Sequence, residues 1–129
     1  LPVPIFSGVN KMQYDYFYGA QAEQFSFYRI PKALFTDPQF KDLSTDAKVL
    51  YGILLDRMSL SLKNHWLDEQ NRVYIIFTLE EIMEALNCAN QKATRLMVEL
   101  EKKACLIERK RQGLGKPSLI YVKNFVVTK

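Results

Sequence analysis

Five polar or basic side chains lie within six consecutive positions near the middle of the chain: Asn90, Gln91, Lys92, Thr94 and Arg95. Asn and Gln can each form two hydrogen bonds with adenine, and Arg and Lys can do so with guanine or can hold phosphates. Such a cluster can read base pairs if one helix presents it in the major groove of DNA. Solvated polar residues are the alternative interpretation, and for Gln91, Thr94 and Arg95 we favour base contact.

A second cluster surrounds a glycine-rich turn and consists of Arg109, Lys110, Arg111, Gln112 and Lys116. Gly113 and Gly115 allow that turn to adopt positive φ. Alternation along a strand places Arg109 and Arg111 on one face and Lys110 on the other. A basic hairpin of this kind lies over the DNA backbone or enters the minor groove, where Arg is favoured. The alternative is a charged, solvated hairpin tip.

Two helices are predicted before this hairpin. Thr78 and Glu81 have the spacing of a capping box, which begins the first helix. Residues 87–90 interrupt the pattern, and a second helix over residues 91–103 turns Ala93, Leu96, Met97 and Leu100 towards the core. Asn90 is equally well explained as the N-cap of this helix or as a DNA contact. Lys102 and Lys103 suit the negative end of the helix dipole.

The remaining elements complete the order of a winged helix. Ser44 is a good N-cap for a long amphipathic helix, and residues 73–77 are a dense β-branched and aromatic run that predicts a strand. The predicted order is helix, strand, helix, helix, strand, wing, strand. The fold class is therefore α+β, a winged helix-turn-helix over residues 29–125, whose second motif helix enters the major groove.

Residues 1–28 are predicted to form an extended, aromatic-rich arm with one or two short strands. Eight aromatic residues in this segment are too many to leave in water. The arm either folds back on the body or packs against a second chain, and we slightly favour a homodimer. The residues expected at that contact are Tyr16, Phe17, Tyr18, Phe25 and Phe27.

The distribution of charged residues along the chain supports the same DNA-binding surface. Residues 1–87 carry 8 basic and 11 acidic side chains, whereas residues 88–123 carry 9 basic and 3 acidic ones. The positive charge thus accumulates on the second motif helix and the wing, as a phosphate-binding face requires. The chain has no run long enough to span a membrane and no signal-peptide pattern, so a cytoplasmic location without membrane partners is expected.

Catalysis and metal binding are not expected. Two cysteines and one histidine, His65, provide no zinc-site spacing, and the cysteines fit reduced thiols better than a disulfide. The Gly113–Lys116 turn resembles a nucleotide-binding loop only superficially, because no helix follows it. We therefore predict no enzyme activity, no cofactor and no metal.

Several longer segments carry a resemblance beyond the fold: residues 27–35, 43–51, 56–61 and 113–117. They resemble the N-terminal domain of the RepA-type replication initiators of low-copy multiresistance plasmids from Gram-positive bacteria. The resemblance covers about residues 14–125. It departs from the family pattern at residues 103–105, where a Gly is expected near the helix end.

The resemblance implies binding of double-stranded DNA at repeated origin sites, called iterons, to initiate plasmid replication. It also implies dimerisation, and recruitment of host primase or other replication factors by a separate C-terminal domain. Residues 126–129 would begin the linker to that domain. The alternatives are a transcriptional repressor with the same fold, or a winged helix that makes protein contacts within a replisome.

Overall fold

The computed structural model describes residues 13–126. Helix α1 spans Ala33–Thr36, α2 spans Thr45–Lys63, α3 spans Leu79–Leu86 and α4 spans Asn90–Val98. A π-helical turn, Glu99–Lys103, continues α4. Strands β1, Ile107–Lys110, and β2, Leu119–Val122, follow, and short 3₁₀ turns lie at Gln21–Gln24 and Pro38–Phe40.

Helix α2 provides the central wall of the core. Its predicted N-cap is confirmed, because the Ser44 hydroxyl accepts a hydrogen bond from the Ala47 N–H at 3.1 Å. Its apolar face is buried by α4, the π turn and β2. The chain before α1 crosses α2 at Gly52, where a Cβ would lie 2.8 Å from Ile30 Cγ1. Glycine is therefore required for this close approach.

Helices α3 and α4 form the helix-turn-helix. The capping box is confirmed: Thr78 Oγ1 accepts from the Glu81 N–H, and the Glu81 carboxylate accepts from the Thr78 N–H. Asn87 reverses the chain between the helices at φ +51°, a left-handed conformation that Asn tolerates. The N-cap of α4 is Ala89, so the interpretation of Asn90 as the cap is wrong. Asn90 Oδ1 instead accepts from the Thr94 hydroxyl at 3.4 Å.

The wing is an antiparallel ribbon in which Ile107 lies opposite Val122 and Lys110 opposite Leu119. The strand predicted over residues 73–77 is reduced to isolated bridges. Ile75 exchanges two 2.9 Å hydrogen bonds with Ile120, and Val73 pairs with Leu67. A longer strand does not form because the chain must enter the N-cap of α3 at Thr78, only three residues after Ile75.

The arm lies open in the described part of the chain, residues 13–28. The predicted short strands are absent there, where the structure has only the 3₁₀ turn. Its aromatic side chains are exposed, from 52% for Phe25 to 83% for Tyr14, so residues 13–28 do not bury them against the body. Residues 1–12 of the predicted arm, and residues 127–129 of the predicted linker, lie outside the described residues. Between residues 13 and 126, no helix is long and apolar enough to cross a membrane.

Candidate nucleic-acid interface

Helix α4 has the two faces that its sequence predicts. Ala93, Leu96 and Met97 are buried in the core. The opposite face begins at the N-terminal end of the helix and exposes four of the predicted polar residues: Asn90, Gln91, Thr94 and Arg95. Hydrogen-bonding side chains are therefore concentrated at the end of the helix that enters the major groove in this motif.

The wing projects its polar residues at a glycine turn. Gly113 and Gly115 have φ angles of +118° and +76°, as predicted. The Gln112 side chain donates a 2.7 Å hydrogen bond to the Pro117 carbonyl and braces the turn. Leu114 at the tip is fully exposed. This exposed apolar tip was not predicted, although an apolar residue between two glycines in a polar turn is a signal that the sequence contains.

Two predicted DNA-contacting cations are paired within the protein. Lys92 Nζ lies 2.8 Å from Asp46 Oδ2 at the start of α2. Arg109 donates to Glu101 Oε1 from Nη2 at 2.7 Å and from Nε at 3.2 Å. The side-chain hydrogen bond from Arg109 lowers the pKa of Glu101, so this carboxylate is charged at neutral pH.

The other predicted cations are available to a ligand. Within residues 13–126, no acidic partner lies within ion-pairing distance of Arg95, Lys110, Arg111 or Lys116, and all four side chains are exposed. A groove of about 340 Å³ separates the wing from α3 and α4, and Thr78, Met97, Arg109 and Lys116 contribute to its lining. The two cations in this lining, Arg109 and Lys116, both belong to the wing, whereas α3 and α4 contribute uncharged side chains.

The acidic residues that organise this surface were not predicted from the sequence. Glu99, in the π turn after α4, accepts hydrogen bonds from the Ser44 N–H and, at 2.9 Å, from the Ser44 hydroxyl. Asp46 and Glu99 therefore attach the N-terminal end of α2 to α4 at two points. These partners lie 46 and 55 positions apart in sequence, so no local pattern could have identified them.

Fold and surface together define a winged-helix domain of the DNA-binding class. A family model described as the replication initiator protein A (RepA) N-terminus matches residues 26–129. The chain belongs to this family of replication initiators.

Solved structures agree with this assignment. The chain is 40% identical to a structure described as the N-terminal domain of a DNA-binding protein, with a TM-score of 0.72 and coverage of 91% of this chain and 88% of that one. A structure described as a Rep–DNA complex is also 40% identical, with a TM-score of 0.72 and coverage of 89% and 88%. A structure described as an MDR initiator is 39% identical, with a TM-score of 0.70 and coverage of 89% and 90%.

A curated relative, the 41 kDa protein of Lactobacillus helveticus, is 32% identical over 74 residues. The match covers 57% of this chain and 21% of that protein. The matched part of this chain therefore spans about a fifth of the length of that relative.

Proposed function

We propose that this chain binds double-stranded DNA at the repeated sites of a plasmid origin and so begins replication there. The observation that carries the proposal is the exposed polar face of α4, on which Arg95 has no acidic partner within residues 13–126 and follows Asn90, Gln91 and Thr94. Its membership of the replication initiator family supports the same role.

The two elements would divide the work of binding. The side chains of α4 would hydrogen-bond to base edges, which carry the sequence information. Lys110, Arg111 and Lys116 on the wing would neutralise phosphates, with Gln112 holding the turn. Phosphate contacts fix position and add affinity without base preference. We expect the chain to act by binding alone, without catalysis, in the cytoplasm.

We further propose that the arm joins two copies of the chain. A dimer can engage two half-sites together, which matches repeated target sites. Host primase or another replication factor would be recruited by a separate C-terminal domain, as the family resemblance implies. These partners rest on the family resemblance, and the aromatic arm supports only the dimer.

The proposal is tested by fluorescence anisotropy with a duplex carrying tandem repeats of the origin and a scrambled duplex, at two salt concentrations. We expect tighter binding to the repeats, maintained at the higher salt. Equal and salt-sensitive binding to both duplexes would contradict sequence-specific recognition. Preference for a single promoter palindrome over tandem repeats would favour the repressor.

Arg95→Ala should lower affinity for the repeats more than for the scrambled duplex, because a bidentate base contact contributes roughly 1–3 kcal/mol of discrimination. Lys63→Ala is the matched control. Lys63 ends α2 about 25 Å from Asp46, given the helical rise of about 1.5 Å per residue. The same anisotropy assay measures both variants. An unchanged ratio of the two affinities in Arg95→Ala would show that Arg95 reads no base.

A further inference from the structure

We propose that Glu101 is a positioning residue that determines specificity, because it withholds Arg109 from DNA and holds the wing in place beside α4. This inference rests on the proposed DNA-binding function. It gives a role to an acidic residue within a basic surface. It also gives Arg109 a role different from that of the other wing cations, which are proposed to bind phosphates.

The geometry supports a pair that persists rather than a transient surface contact. Glu101 Oε1 accepts two hydrogen bonds from the Arg109 guanidinium. The two side chains are only 23% and 32% exposed, so water and salt screen the pair less than a fully exposed one. Arg109 lies opposite Ile120 in the ribbon, and the pair therefore connects the π turn that continues α4 to the wing.

The π turn explains how Glu101 is held. The Ala104 N–H bonds to the Glu99 carbonyl at 3.0 Å, five residues back, and the Leu106 N–H bonds to the Leu100 carbonyl at 2.8 Å. Leu100 is fully buried, while Glu99 reaches Ser44 on α2 and Glu101 reaches Arg109 on β1. Three successive side chains of this turn therefore contact the start of α2, the core and β1. These contacts restrict the positions that Glu101 can adopt.

Without its partner, Arg109 would be well placed for phosphate. It lines the groove between wing and helices together with Lys116. An additional unpaired cation at that groove would strengthen binding to every DNA sequence equally, since phosphate contacts carry no base information. Neutralising Arg109 within the protein limits this sequence-independent affinity and preserves the preference for the correct site.

Glu101→Gln tests the proposal, because it keeps the shape of the side chain and removes its charge. The slope of log affinity against log salt should steepen by about 0.9 on the scrambled duplex, the value for one added phosphate contact. The ratio of affinities for repeats and scrambled duplex should fall. Glu108→Gln is the matched control: it makes the same charge change at the 3.3 Å pair with Lys123, on the opposite face of β1, and should leave the slope near that of the wild type.

A second substitution that restores the wild-type salt slope is the most specific test of the pair. Adding Arg109→Gln to Glu101→Gln should restore the wild-type slope. If Glu101→Gln does not fold, Arg109→Gln alone carries the test: it should leave the slope unchanged, whereas Arg111→Gln should reduce it by about 0.9. The proposal is overturned if Glu101→Gln matches wild type, if Glu108→Gln steepens the slope equally, or if Arg109→Gln alone reduces it.

The slope on scrambled DNA can be measured whether or not the wild type prefers the repeats. Equal wild-type binding to both duplexes would contradict the proposed function, while the slopes would still decide whether Glu101 withholds Arg109. Strong preference for the repeats combined with unchanged slopes would leave the proposed function intact and refute this inference alone.

Discussion

At the scale of single residues, pairing within the protein distinguishes side chains that sequence alone groups together. Lys92 and Arg95 are one helical turn apart, yet Lys92 pairs with Asp46 and Arg95 has no acidic partner within residues 13–126. Alternation predicts Arg109 and Arg111 on one face of the wing, yet β1 ends at Lys110, and of these two arginines only Arg109 has a carboxylate partner in the described residues. The available charge of this surface is therefore smaller than the count of its basic residues.

Cys105 is a residue whose backbone conformation should lower the stability of the fold. It has φ +55° just after the π turn, within residues 103–105, where the resemblance leads us to expect a Gly. A non-glycine residue in this left-handed conformation costs roughly 1–2 kcal/mol. Cys105→Gly should therefore relieve about 1 kcal/mol of backbone strain. The larger entropy of Gly in the unfolded chain offsets part of this gain, and the net effect should be a more stable fold.

Urea unfolding measures this change. Ala104→Gly is the control, because Ala104 has φ −98° and its replacement should destabilise the fold by roughly 0.5–1 kcal/mol. Loss of stability in both variants would show that the Cys105 side chain contributes more than its backbone conformation costs.

At the scale of elements, a carboxylate adds to the backbone hydrogen bonds between Ile75 and Ile120 that join the loop between α2 and α3 to the wing. Asp68 accepts hydrogen bonds from the Arg72 backbone and guanidinium, each at 2.8 Å, and from the Tyr121 hydroxyl at 3.0 Å. Burial alone would raise the pKa of Asp68, but these hydrogen bonds outweigh it and lower the pKa to about 2. The charged carboxylate thus stabilises the position of this loop on β2.

The stability that Asp68 contributes should depend on pH in a defined range. Because its folded pKa lies below the unfolded value of about 3.9, the contribution is complete above about pH 4 and is lost as the pH falls towards 2. Thermal unfolding of wild type and Asp68→Asn should therefore differ at pH 6 and converge towards pH 2. Glu69→Gln, at an exposed neighbour, should show no such convergence. A constant difference for Asp68→Asn would exclude the ionised carboxylate as the cause.

At the scale of the whole molecule, the arm is the least covered part of the described chain. The Phe25 ring contacts the rings of Phe17 and Phe27 edge to face, with centroids 6.1 and 6.2 Å apart. All three remain more than half exposed. A clustered aromatic surface of this kind is typical of an interface, which supports the proposed contact between two copies.

Substitution of both Phe25 and Phe27 by Ser should convert a dimer into a monomer, because it removes most of the aromatic area of this cluster. Sedimentation equilibrium at micromolar concentration measures the change. The melting temperature of the monomer unit should change little, since both rings are exposed. Leu62→Ser, at a residue that is 53% exposed on α2, should leave the dimer intact. A wild-type monomer, or a variant that remains dimeric, would contradict the role of the arm.

Local sequence patterns determined several features of this structure. The caps at Ser44 and Thr78, the buried face of α4 and the glycine turn of the wing each depend on residues close in sequence, and each is confirmed. The family resemblance is confirmed as well. Such features are predictable because caps, helical periodicity and turns are decided by neighbours within a few positions.

Tertiary structure alone decided how the elements meet. It reduced the predicted strand at residues 73–77 to bridges and left the aromatic side chains of residues 13–28 more than half exposed. It also brought Asp46 to Lys92, and Glu99 to Ser44. Pairs separated by dozens of residues leave no periodic signal, because their distance is set by the packing of α2 against α4 and not by the chain between them.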